Sequence, residues 1–133
     1  MTIEEALYTH LSGNAGLSAL VSNRIYPMIM PQDVALPAVT YQKISGERMH
    51  TLQTDPGVAS PRFQFNCWGS SYSSAKAVAV KVKDALKDFT GTLGGAGGVT
   101  VLRVVGPEDE LDDYDAETET FRTILDFFIW HQE

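Results

Sequence analysis

The sequence predicts an α+β fold: a mainly antiparallel sheet of about four strands with helices packed on one face, in the order α-α-β-β-α-β-β. Three observations lead there. Between Pro61 and Phe89 the apolar period switches from two to three-and-four, so a strand is followed by a helix that folds back over the sheet. The stretch Phe121 to His131 alternates over its whole length, as a strand does. Two short helical patterns open the chain, and the remaining strands are separated by loops rather than by helices, which favours antiparallel neighbours.

Thr2 and Glu5 have capping-box spacing, each side chain placed to satisfy a free amide at the start of a helix. Ala6, Leu7 and Leu11 give that helix its apolar face, and Gly13 stops it. Asn14 is placed to cap a second short helix with Leu17, Leu20 and Val21, ending near Asn23. Arg24, Ile25 and Tyr26 lead into Pro27, which imposes an extended or turned path. Met28 to Pro37, with Pro31 and Pro37, reads as a loop packed on the surface.

Ala38 to Ile44 sets Val39 and Tyr41 against Thr40 and Gln42 and reads as a strand. Ser45 to Ser60 is a long connection for so small a chain, and loops of that length are functional or mobile; a long hairpin arm is one use for it. In the central strand Phe63, Phe65 and Cys67 alternate with Arg62, Gln64 and Asn66. Gly69 ends it, and one of the serines that follow caps a helix whose stripe is Tyr72, Ala75, Ala79, Val82, Leu86 and Phe89. Gly91 to Gly98 reads as a glycine-rich surface connection, and Val99 to Val105 as a strand that stops at Gly106 and Pro107. The last strand puts Phe121, Leu125, Phe127 and Ile129 on one face and Ile124, Phe128 and Trp130 on the other. The second face of the sheet thus joins Arg62, Gln64, Asn66, Arg122 and Asp126 to these apolar residues, a mixture that suits a protein interface better than a pocket.

A chain of 133 residues with 44% apolar and 20% charged residues is expected to form one domain, 1–133, with a core of its own. No apolar run approaches the roughly 20 residues of a membrane span, and the polar, acidic N-terminus is unlike a signal peptide, so a cytoplasmic protein is expected. Eight of the 17 acids, and none of the ten bases, lie between Glu108 and Glu119. The rest of the chain is therefore close to neutral, and the net charge of -7 belongs to one segment. Binding to a nucleic-acid backbone, which needs clustered Lys and Arg, is disfavoured.

Candidate chemistry is sparse. Cys67, the single cysteine, alternates with core phenylalanines and reads as a buried small hydrophobe rather than a nucleophile. His10, His50 and His131 fall on different elements with no metal-ligand spacing. The glycine run Gly91 to Gly98 follows a helix instead of opening one and lacks a phosphate-binding Lys with a following Ser or Thr. From Asp109, Leu111, Asp113 and Asp115 a calcium loop is only vaguely approached, because Tyr114 stands at position six and Thr120 at position twelve. No catalytic residue, metal or cofactor is expected, and the acidic segment reads as a solvated loop.

The opening helix pair from Ile3 to Leu20, the Arg24-Ile25-Tyr26-Pro27 stretch, the Leu36-Pro37-Ala38-Val39-Thr40-Tyr41 entry to a strand, the Arg62-Phe63-Gln64-Phe65-Asn66-Cys67-Trp68 strand before an alanine-rich helix, and the ending from Tyr114-Asp115 to Phe127-Phe128-Ile129-Trp130-His131 together resemble the tail-completion family of siphophages and prophages. The resemblance implies a non-enzymatic tail terminator, a subunit of a ring, commonly a hexamer, that caps the tail tube and supplies the surface on which the head docks. Its partners would be further copies of itself, the tail-tube protein and a head-completion or connector protein, in the host cytoplasm during assembly and then in the virion tail. The alternatives are another head-tail connector or minor tail protein, or a small ligand-binding protein or enzyme whose site is scattered along the chain.

A ring subunit needs two unlike, complementary patches. The candidate interaction residues are Glu47, Arg48, His50 and Asp55 on the arm, with Arg62, Arg122 and Trp130 on the sheet. Glu108, Asp109, Glu110, Asp112, Asp113 and Asp115 form a candidate acidic loop that would face the channel, where negative charge lets DNA slide rather than stick; the same loop facing outward would serve solubility.

Overall fold

The helix starts are built by the residues that the local pattern singles out. In a computed structural model, which describes residues 2–46 and 57–132, the amide of Glu5 donates to Thr2 Oγ1 at 3.1 Å and the amide of Thr2 to Glu5 Oε1 at 3.3 Å, opening α1 (Ile3–Ser12). Asn14 Oδ1 accepts from the Leu17 amide at 2.9 Å and starts α2 (Ala15–Val21). Ser71 Oγ accepts from the Ser74 amide at 3.2 Å and starts α3 (Tyr72–Leu86). The strands are β1 (Ile25–Pro27), β2 (Ala38–Ser45), β3 (Val58–Ala59), β4 (Arg62–Gly69), β5 (Gly91–Leu93), β6 (Val99–Asp115) and β7 (Thr120–Gln132). Among the described residues, no helix is long and apolar enough to cross a membrane.

The α+β class and the antiparallel character hold, but the sheet has seven strands rather than about four. Its order is β1-β2-β4-β7-β6-β5, with β3 pairing β7 off that path. Every pair is antiparallel except β1 with β2. The unexpected strands β1, β3 and β5 are two or three residues long, too short to show a period. Part of the Gly91 to Gly98 connection is thus a short edge strand.

All three helices lie on one face. Ala75, Val78, Ala79, Val82 and Leu86 of α3 are buried with Phe63, Phe65 and Cys67 of β4 and Leu125, Phe127 and Ile129 of β7, and α1 and α2 add Leu7, Leu11, Leu17 and Val21. Tyr72, expected in this stripe, is half exposed at the helix start. Gly69 allows α3 to return so closely, because a Cβ there would stand 2.5 Å from the Ala75 nitrogen. Cys67 is fully buried, and burial pushes its thiol up to about 12, so the sulfur is packing material.

The largest departure concerns β6. The chain does not end its strand at Gly106 and Pro107. Val105 pairs Phe128 and Asp109 pairs Asp126, so extra residues bulge out and the ladder resumes as far as Asp115. Pro107, which cannot donate to a ladder, sits in the bulge where no donor is needed. The acidic segment, expected as a loop, is therefore mostly strand, one arm of a long β6–β7 hairpin.

Candidate interaction surface

Strand alternation sorts the acids of this hairpin onto two faces. Glu110 and Asp112 turn toward α3. Lys83 Nζ approaches Glu110 Oε1 at 3.1 Å, and Lys76 Nζ approaches Asp112 Oδ1 at 2.8 Å and Glu110 Oε1 at 3.6 Å. The Tyr72 hydroxyl donates to Asp112 Oδ2 at 2.9 Å, and Thr123 Oγ1 donates to its other oxygen at 3.2 Å. Tyr72 also meets Phe121, which packs on Tyr114 with ring centres 4.8 Å apart. The exposed start of α3 thus clamps the hairpin.

Asp109 and Asp113 take the opposite face, where Arg62 and Arg122 meet them. Arg62 Nη2 donates to Asp126 Oδ2 at 2.6 Å and lies 3.4 Å from Asp109 Oδ2, with its guanidinium 5.4 Å from the centre of the Phe128 ring. Arg122 binds Asp113 and lies over Trp68 at 5.1 Å, while Trp68 Nε1 donates to Thr40 Oγ1 at 3.0 Å. Both arginines are on the second face, as the alternation of β4 and β7 requires, but each is already engaged by a carboxylate of its own chain.

The Arg122 guanidinium holds the Asp113 carboxyl below the usual carboxylate range, and the hydrogen bond from Lys76 does the same for Asp112. A depressed carboxyl stabilises the fold fully above its unfolded value and loses that contribution as pH falls through its folded value. The hairpin is therefore expected to keep its anchoring from neutral pH down to about pH 4 and to loosen below it. Carboxyl-carbon NMR titration should place both midpoints below the ordinary 3.8. A midpoint at or above that value would overturn the assignment.

Further along the second face, Ser60, Leu102, Arg103, Val105, Phe128 and Trp130 line an open groove of about 570 Å³. Leu102 and Arg103 are exposed, and Val105, Phe128 and Trp130 are half-buried. At the other flank Met28 and Ile29 are exposed at 64% and 77%, beside a more polar groove that includes Gln42, Gln64 and Asn66. The loop from Met28 thus packs on the surface through half-buried Met30, Val34 and Leu36, but leaves Met28 and Ile29 outside that packing. Asn66 Oδ1, Asp126 Oδ1 and Arg62 Nε are buried without a hydrogen-bond partner among the described residues, which leaves this face for water or a neighbour to complete.

Trp130 thus lies in the apolar groove, Arg62 pairs in register with Phe128 beside it, and Arg122 stands toward the hairpin tip. Glu47, Arg48, His50 and Asp55 lie outside the described residues. Glu108 and Asp115 are exposed and make no ion pair with a described residue. Leu102, Arg103 and Val105 are groove residues that sequence periodicity did not find. Among the described residues, no three His, Cys, Asp or Glu side chains gather to hold a metal ion, and alternation sends neighbouring acids of β6 to opposite faces.

No curated protein matches the chain. A chain from a solved structure of the virion of a native gene transfer agent (GTA) particle shares its fold, with a TM-score of 0.72 at 20% sequence identity over 98% of this chain and 95% of that one. The family model described as Tail completion protein gp17 matches residues 5–132, nearly the full length. The chain belongs to the phage tail-completion protein family.

Proposed function

We propose that this chain is a tail terminator, a single-domain subunit (1–133) of a ring of six copies that caps the finished tail tube, stops its polymerisation and presents the surface on which the head docks. The observation that carries this reading is the uncovered second face of the sheet. Helices seal one side, whereas the other leaves Phe128, Trp130 and Leu102 around an open groove and ends in a charged hairpin. Two unlike surfaces on one subunit are what a head-to-tail ring requires, since each copy must offer what the next accepts. A cleft with converging catalytic groups would be covered on more sides than this open face.

The partners in this proposal are other copies, the tail-tube protein and a head-completion or connector protein, met in the host bacterial cytoplasm and kept in the virion tail. The channel-lining role expected of the acidic segment is given less weight. Asp109, Glu110, Asp112 and Asp113 each face a cation of their own chain, and paired charges repel a phosphate backbone weakly. Electron microscopy of the purified chain mixed with tail tubes tests the proposal: annular caps at one tube end are expected, and subunits that never bind tubes would overturn it. The arm keeps its place in the proposal. Deleting residues 47–57 is expected to leave a folded monomer that no longer assembles, and a deletion variant that still forms rings by light scattering would remove the arm from assembly.

A further inference from the structure

The β6–β7 hairpin has two unlike ends. At its base is the groove between Leu102, Val105, Phe128 and Trp130, apolar but for Ser60 and Arg103. Arg103 makes no ion pair with a described residue, whereas Arg62 and Arg122 both do. At its tip Asp115, Glu117 and Glu119 are exposed and likewise make no ion pair with a described residue, while Tyr114 is half exposed beside them. The tip is already shaped: Asp115 Oδ1 accepts from the Glu117 amide at 2.9 Å and the Thr118 amide at 3.4 Å, so little conformational freedom would be lost on docking.

These ends complement each other in charge, Arg103, unpaired among the described residues, at one and exposed carboxylates at the other, and cannot meet within one chain. From Thr120 to Trp130 the strand runs about 33 Å at about 3.3 Å per residue. We propose that the groove at the base of the hairpin receives the hairpin tip of a second copy of this chain, with Arg103 meeting the tip carboxylates and Tyr114 approaching the apolar wall. Donor and acceptor are different surfaces of one subunit, so the contact is heterologous and repeats from copy to copy. A local cation at the acceptor also offsets the repulsion between copies that each carry a net charge of -7. The inference rests on the ring reading and names the contact that would close the ring.

Charge exchange and cross-linking on the full chain test it together. Arg103→Glu, and separately Glu117→Arg with Glu119→Arg, are each expected to weaken self-association roughly tenfold or more by sedimentation, and their combination to restore it. Leu102→Cys with Glu117→Cys is expected to give an intermolecular disulfide ladder on oxidation, since buried Cys67 does not compete. Rings that persist through both reversals and yield no ladder would overturn the tip-in-groove contact and leave the terminator reading standing. A ladder of open chains without closed rings would uphold the contact and overturn the ring. No rings from the parent chain together with no ladder from the cysteine pair would overturn both. Capture of Leu102→Cys by a cysteine placed at His50 of the same chain would put another occupant in the groove and overturn the contact.

Discussion

Phe127→Ala is expected to destabilise the protein by about 3–5 kcal/mol, a large part of the roughly 5–15 kcal/mol that holds a domain of this size together. The side chain is fully buried at the centre of the sheet. It pairs in register with Phe63 and meets Phe65 edge to face, with ring centres 5.7 Å apart. Its neighbours belong to two strands and to α3 behind them, so the cavity left by alanine has little freedom to collapse. Thermal denaturation should register a fall in Tm of about 10–20 °C. Phe128→Ala, one residue further along, removes the same atoms from the open face, where the ring is half-buried beneath Arg62, and should cost much less. Equal losses for the two would mean that the faces have been assigned wrongly.

What could be read from the sequence was what neighbouring residues decide among themselves. Thr2, Asn14 and Ser71 each act on the amide three positions on, so their caps are written locally. The two faces of β4 and β7 follow from strict alternation. The extension of β6 depends instead on residues far along the chain: Asp109, Glu110, Asp112, Asp113 and Asp115 pair along the ladder, and Lys76, Lys83, Arg62 and Arg122, brought by α3, β4 and β7, meet the first four of them. Gly106 and Pro107 look like a stop, and tertiary pairing carries the strand past them as a bulge.

The candidate surface was legible to the same extent. Arg62, Arg122 and Trp130 were assigned to the second face, whereas the carboxylates that occupy the arginines are set by register, which periodicity does not reveal. Arg103 escaped for a specific reason. Alternation from Val99 and Val101 would turn it inward, but a register shift between Val101 and Arg103 reverses the parity, buries Val104 and sends Arg103 outward.

That reversal places Arg103 opposite Trp130, and the second large expected effect follows from it. Trp130→Ala should leave the subunit folded within about 1 kcal/mol, because the side chain is only half-buried in the subunit and removing it opens no sealed core cavity. Its effect should fall on association. A tryptophan in an apolar groove typically anchors about 2 kcal/mol or more of an interface, which is about a 30-fold loss of self-association. Ile129→Ala is the control, since that side chain is fully buried on the helix face and its truncation should cost about 2–5 kcal/mol of stability. Denaturation and sedimentation on the two variants separate the effects: Trp130→Ala should lose rings and keep its Tm, and Ile129→Ala should lose Tm. Rings at parental concentrations from a folded Trp130→Ala variant would show that the groove takes no part in joining subunits, and the interface would then have to be sought elsewhere on the second face, toward Met28 and Ile29.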